Sequence, residues 1–185
     1  MIGPNHLLAS AVTVSAVAAY YDLRTGHIPN WVTFGPLAVA PIGHFVLGFV
    51  LTSSARSGAE AAGFSILGAL ACALVPIFLY RANAIGGGDV KLMAAVGAIC
   101  RPMVGVEAEF YAFLAAAIFA PARLAWEGKL LRTLGNTLAL VANPFLPKAR
   151  RREIAPEAMT SLRFGPAIFA GALGVAILHW NLRQP

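Results

Sequence analysis

Long apolar stretches separated by short polar turns constrain this chain more than any other feature of its sequence. A helix needs about 20 apolar residues to cross the hydrocarbon core of a bilayer, and a stretch of about 11 residues rises only about 17 Å. The apolar stretches cover about residues 6–21, 31–51, 59–80, 90–100, 103–126 and 164–180. We therefore predict an all-α fold, a polytopic membrane helical bundle of about six transmembrane helices, in which the stretch 90–100 is short for a full crossing.

The low content of charge supports a membrane location. Only 12% of the residues are charged and 58% are hydrophobic, whereas soluble domains carry about 25% charged residues. The net charge of +6 is explained by basic cytoplasmic loops, because no basic surface interleaved with aromatic residues accompanies it. Membrane lipid is therefore an expected partner and nucleic acid is not, whereas the oligomeric state is left open.

The length suits a single membrane-embedded domain over residues 1–185, with one basic cytoplasmic loop at about 127–161. The apolar middle of this loop, 134–146, is too short to span and is predicted to be interfacial or re-entrant. The loop also carries the run Arg150-Arg151-Arg152. We expect this run to fix the topology, and binding of anionic lipid or of a partner is the alternative.

The distribution of Lys and Arg predicts the orientation. If the loops alternate between the two sides, eleven of the 14 Lys and Arg residues fall on one side, and only Arg56, Arg101 and Arg183 fall on the other. Positive charge marks the cytoplasmic side. Both termini are then predicted to be periplasmic in a bacterium with two membranes.

The two aspartates are the strongest candidates for chemistry. They are Asp22, at the end of the first apolar stretch, and Asp89, at the start of the fourth, so both are predicted at the cytoplasmic boundary. A charged group costs about 2.5–3.5 kcal/mol at the centre of a bilayer, and such groups usually face the bundle interior and carry function. If the two approach closely, they can share one proton. The ionised aspartate can then activate a water, while the protonated one polarises a carbonyl and later donates a proton to the leaving amine.

A structural role for the aspartates is the alternative, because each could simply cap a helix. Asp89 suits this role, since an acid in the first turn favours the positive end of a helix. Asp22 does not, since it lies at a C-terminal end, where the helix dipole disfavours an anion.

The neighbouring residues extend this candidate site. The run Gly86-Gly87-Gly88 permits a close approach by an extended substrate, or is only a flexible loop. Lys91 either lies near the carboxylates or extends to the interface. His27 either relays protons or is a solvated loop residue. Pro29 suits the start of the next helix.

Cofactor chemistry is not indicated by the sequence. Cys72 and Cys100 lie in apolar surroundings, without a CxxC pair or a Cys/His cluster, so neither a zinc site nor a disulfide framework is expected. A cation held by the two carboxylates and His27 is the one metal arrangement that the residues leave open.

Three sequence runs together resemble the type IV prepilin peptidase family of membrane aspartyl proteases. The first is Tyr21-Asp22 followed by Ile28-Pro29-Asn30, and the second is Gly86-Gly87-Gly88-Asp89-Val90-Lys91-Leu92, which fits the Gly-x-Gly-Asp pattern of that family. The third is Arg163-Phe164-Gly165-Pro166-Ala167, which is similar to the entry into the last helix of the family.

The resemblance implies that Asp22 and Asp89 are the catalytic pair of an intramembrane aspartyl endopeptidase. The glycine run, Lys91, His27 and the Pro29-Asn30 pair would then belong to the active-site loop and the substrate-binding region. The implied reaction removes the short basic leader from prepilins or pseudopilins at the cytoplasmic face of the bacterial inner membrane, just before the hydrophobic helix of the pilin. It needs neither a metal nor another cofactor.

One departure from the family pattern refines this expectation. Larger members carry an extra cytoplasmic domain with paired cysteines, which goes with N-methylation of the new terminus. This chain begins at the first apolar stretch and lacks that arrangement, so it resembles the short, peptidase-only members associated with tight-adherence (Flp) pili. Methyltransferase activity is not expected.

Two other classes of function remain open at this point. A small proton-coupled transporter would use the same carboxylates to carry protons. Against it, no inverted repeat relates the two halves of the chain, and the aspartates are predicted at one edge of the membrane. The second class is a non-catalytic scaffold for pilus assembly. The aspartate pair argues against it, because carboxylates near the hydrocarbon core are energetically costly and a scaffold does not need them.

Overall fold

All regular structure in the described part of this chain is helical. The computed structural model describes residues 4–126 and 163–181, together with the single residues 128, 131, 133 and 135. The helices are α1 (Pro4–Thr25), α2 (Asn30–Thr52), α3 (Ala55–Arg81), α4 (Gly87–Trp126) and α5 (Gly165–Asn181). The predicted all-α class is confirmed for these residues.

Three of the helices, α2, α3 and α4, are long and apolar enough to cross a membrane. This finding supports a membrane location, while the full set of six crossings stays a prediction. The interfacial piece predicted at 134–146 and the run Arg150-Arg151-Arg152 lie outside the described residues. The chain divides into two compact units, Met1–Ala116 with Arg163–Pro185, and Ala117–Leu162, and every contact discussed below lies within the first unit.

Helix α4 is broken into two antiparallel segments at Arg101, which adopts φ 66° and ψ 170°. A Cβ atom built on Gly105 would lie 2.9 Å from the Cα atom of Gly97. Residues eight apart in a straight helix are separated by about 12 Å. The chain therefore reverses at Arg101-Pro102, the dipeptide that separates the two apolar stretches 90–100 and 103–126 in the sequence.

Small residues bring α3 into backbone contact with this reversal. A Cβ atom on Gly68 would overlap the carbonyl oxygen of Gly97. Gly171 meets the backbone of α4 in the same way, beside Ala108, as expected of small residues between membrane helices. Gly63 and Gly174 also lie in the apolar stretches, but neither has any atom within 4 Å of an added Cβ.

Side chains from two other helices satisfy the backbone where the first segment of α4 ends. The last carbonyls of a helix have no partner within the helix, and an unpaired carbonyl is costly in an apolar environment. Ser65 of α3 donates its hydroxyl to the carbonyl of Ala98 over 2.7 Å. His44 of α2 bonds the carbonyl of Ile99 through Nε2 over 3.0 Å, and it must donate, because a carbonyl only accepts.

The helices of the first unit form two main pairs. Helix α1 packs against α5 and α2 packs against α3, and both pairs are in more extensive contact than α1 and α2 are. The second segment of α4 is joined to α5 by a contact of 2.8 Å between the Glu107 carboxylate and the Nε2 atom of His179. Helices α1 and α2 contact each other less, and a groove opens between them.

Candidate active site

The end of α1 places Asp22 at the edge of the bundle. Gly26 takes a positive φ of +68°, and its N–H donates to the Asp22 carbonyl over 2.9 Å. This left-handed residue is a common way to end a helix, and glycine adopts it without a steric penalty. The chain then turns inward, so that Ile28 is only 4% exposed.

The carboxyl group of Asp22 is held by the start of the last helix. Its Oδ2 atom accepts a hydrogen bond of 3.0 Å from the backbone N–H of Gly165, the first residue of α5. Arg163 donates from its guanidinium to the carbonyl of Leu23. The positive end of α5 therefore offsets the unfavourable position of Asp22 at the negative end of α1.

The carboxyl group of Asp89 is held within its own segment. Its Oδ2 atom accepts the N–H of Gly86 over 3.0 Å. Asp89 is the third residue of α4, so this bond is the half of a capping box in which an acid reaches back to the N-cap residue. The capping role left open by the sequence is therefore observed, and it uses one oxygen of each aspartate.

The two carboxyl groups are both buried, on segments of the chain that contact each other. Asp22 and Asp89 are each only 6% exposed. Within the described residues, the Oδ1 atom of each makes no hydrogen bond. Each aspartate thus has one oxygen fixed to the backbone and one available for chemistry.

Two contacts join the segments that carry the aspartates. A Cβ atom on Gly88 would lie 3.2 Å from the Cβ atom of Ile28. Lys91 donates from Nζ to the Oδ1 atom of Asn30 over 3.0 Å. Runs that lie some sixty residues apart in the sequence therefore meet beside the carboxyl pair.

The glycine run before Asp89 lies where there is little room for side chains. All three residues have negative φ angles. A side chain on Gly86 would meet the Asp89 carboxylate at 3.2 Å, and one on Gly87 would meet the Tyr80 ring at 3.4 Å. Close packing therefore accounts for Gly86 and Gly88, whereas a Cβ atom on Gly87 would make only an ordinary van der Waals contact.

The other predicted site residues take different positions. The ammonium of Lys91 lies 4.8 Å from the centre of the Phe34 ring, and among the described residues it forms no ion pair with a carboxylate. Asn30 is brought into the site as the partner of Lys91. Pro29 is the N-cap of α2, with φ −61°. His27 is exposed, and its side chain makes no hydrogen bond with the described residues, as expected of a solvated loop residue.

The sequence indicates no role for Gly165 or Arg163 beyond their place in a run that resembles the family. Their contacts with α1 join residues about 140 positions apart in the sequence, and no local sequence pattern predicts such a contact. Among the described residues, no three His, Cys, Asp or Glu side chains lie together in a way that could hold a metal ion.

Comparison with known proteins gives one match. Residues 9–121 match a family model described as the type IV leader peptidase family, a range that includes both aspartates and ends before α5. Neither a curated protein nor a solved structure matches the chain significantly.

Proposed function

Because this chain belongs to the type IV leader peptidase family and is therefore a protease, we propose that it is an aspartic endopeptidase with Asp22 and Asp89 as its catalytic pair. Its substrates are prepilins or pseudopilins, from which it removes the basic leader. The observation that carries the proposal is a pair of buried carboxyl groups on contacting segments. Each has one oxygen fixed by a backbone N–H and, among the described residues, one oxygen without a hydrogen bond.

The geometry supports acid–base chemistry on a peptide bond. The bonds from Gly165 and Gly86 orient the two carboxyl groups, and burial with mutual repulsion favours a pair that holds one proton. The ionised member takes a proton from a water, which adds to the scissile carbonyl carbon. The protonated member donates to the carbonyl oxygen. The C–N bond then breaks as the amine receives the proton taken from water and the hydroxyl of the intermediate returns its proton to the second carboxylate.

The cytoplasmic face of the bacterial inner membrane is the proposed site of cleavage. The support is the excess of Lys and Arg on the side that carries both aspartates. A peptidase-only activity of the kind associated with Flp pili, without methyl transfer, is part of the same proposal.

Asparagine substitutions provide the sharpest test. In Asp22→Asn and Asp89→Asn, the amide oxygen can still accept the N–H of Gly165 or Gly86, so the fold is retained while the exchangeable proton is lost. We expect cleavage of a co-expressed prepilin to fall by at least about a hundredfold in each variant. Product mass measures both the cut site and any added methyl group.

The matched control is Glu60→Gln, which also neutralises an acid. Glu60 is exposed and pairs with Arg56 over 3.0 Å at the start of α3, so its loss should leave cleavage unchanged. Normal processing by both aspartate variants would refute the catalytic assignment. Substrate-dependent proton flux in proteoliposomes, without cleavage, would instead favour the transporter class.

A further inference from the structure

An apolar groove opens between α1 and α2. It has a volume of about 420 Å³ and is lined on the α1 side by Leu7, Ser10 and Val14. The spacing of these residues places them on one face of the helix. The groove therefore lies along the opening that the packing of α1 on α5 and of α2 on α3 leaves between the two pairs.

The α2 wall of the groove is also a single helix face. Pro36, Val39, Gly43 and Leu47 line it, at the spacing that repeats one side of a helix. This wall is about 17 Å long, as given by the helical rise from Pro36 to Leu47. A Cβ atom on Gly43 would meet nothing within 4 Å, so the wall is open at its middle.

The polar side chains along the groove already have partners. The Ser10 hydroxyl donates to the His6 carbonyl over 2.8 Å, and the Nε2 atom of His44 bonds the Ile99 carbonyl over 3.0 Å. The hydrogen-bond donors of these side chains are therefore already used, and none is left to recognise a polar ligand. The groove suits an apolar occupant whose own polar groups are satisfied internally.

One end of the groove approaches the catalytic pair. Val14 precedes Asp22 by eight residues, a rise of about 12 Å along α1. Pro36 follows Asn30 by six residues, a rise of about 9 Å along α2. A segment that leaves the catalytic carboxyl groups can therefore enter the groove within a few residues.

We infer that this groove binds the hydrophobic helix of the substrate, directly after the bond that is cut; this inference rests on the proposed function. In a bilayer, a helix is the form in which a single segment satisfies all its backbone groups. Small residues such as Ala40 and Gly43 in the α2 wall let another helix approach closely. One end of the groove lies near the catalytic carboxyl groups. For this reason we assign the groove to the substrate helix and not to bulk lipid or to a second copy of the chain.

Filling the groove tests the assignment. Gly43→Trp is compared with Gly63→Trp in α3, where an added Cβ also meets nothing within 4 Å and which is not part of the groove. Each variant receives full-length prepilin and a short peptide that ends a few residues after the cut. We expect Gly43→Trp to lower the ratio of prepilin cleavage to peptide cleavage at least tenfold, and Gly63→Trp to keep the wild-type ratio.

The outcomes separate this inference from the proposed function. If the wild-type protein cuts neither substrate, the proposed function fails. If it cuts prepilin and Gly43→Trp keeps the wild-type ratio, the groove holds lipid and the inference is overturned. An equal loss on both substrates also overturns it, since the damage then does not depend on the substrate helix.

If the wild-type protein cuts prepilin but not the short peptide, the ratio cannot be measured, and a crosslink tests the inference instead. Val39→Cys is combined with Asp22→Asn, which holds the substrate uncut, and with a cysteine in the pilin helix. The native Cys72 and Cys100 are buried, so the added thiol is the accessible one among the described residues. An adduct with the pilin supports the inference, whereas a disulfide-linked dimer of the protein, or no adduct, refutes it.

Discussion

At the scale of single residues, the two aspartates combine a structural bond with a free oxygen. Asp22 accepts the first N–H of α5, and Asp89 accepts the N–H of Gly86. Their importance could be predicted from scarcity and position, since they are the two aspartates of the chain and both lie at predicted helix ends. The capping bond of Asp89 is local and agrees with its position in the first turn of a helix, whereas the partner of Asp22 could not be predicted, because it lies 143 residues away.

Gly165→Ala should damage the site although it replaces neither proposed catalytic residue. The added methyl would lie 2.9 Å from the Oδ2 atom of Asp22, so the carboxyl group must move. We expect the cleavage rate to fall about tenfold to a hundredfold, since small misplacements of reacting groups have effects of this size. Gly174→Ala is the control in the same helix, because its Cβ meets nothing within 4 Å, and a normal rate for Gly165→Ala would contradict the role of this contact.

Lys91 and Asn30 should be energetically coupled. Their hydrogen bond of 3.0 Å joins α4 to α2, and a hydrogen bond to a charged group is worth about 1.5–3 kcal/mol when buried and less when exposed. We expect Lys91→Met and Asn30→Ala each to lower the free energy of unfolding, and the double variant to lose less than the sum. Chemical unfolding in detergent measures the cycle, and additive losses would show that the bond contributes nothing.

At the scale of helices, the turn at Arg101 organises the middle of the bundle. The sequence predicts the break, since Arg101-Pro102 interrupts an apolar run and proline disfavours a helical residue before it. The contacts made there are harder to foresee. Gly68 and Gly171 meet other backbones, whereas Gly63 and Gly174 do not, and composition alone does not show which face of a helix meets a neighbour.

Ser65→Ala should destabilise this turn. The substitution leaves the carbonyl of Ala98 without its side-chain donor, and an unsatisfied buried acceptor costs about 1–3 kcal/mol. We expect a lower melting temperature in detergent for Ser65→Ala than for Thr13→Ala, whose exposed hydroxyl bonds the carbonyl of Ala9 within its own helix. Equal melting temperatures would show that the Ala98 carbonyl finds another partner.

At the scale of the whole chain, the candidate site gathers residues from the beginning, middle and end of the sequence. The family match covers residues 9–121 and so contains both aspartates, but not the helix that holds one of them. The helical class and most helix positions follow from the length of the apolar stretches and from the turn residues between them, which are local signals. The association of the helices cannot be predicted from these local signals, because in lipid it depends on which small and polar surfaces face each other.

The bond between Asp22 and Gly165 has a consequence for how the protein is made. The ribosome synthesises α5 after every other described helix, so Asp22 has no partner for its carboxyl group while the chain is still being inserted. The carboxyl group of Asp22 therefore gains this backbone donor only after translation has passed Gly165.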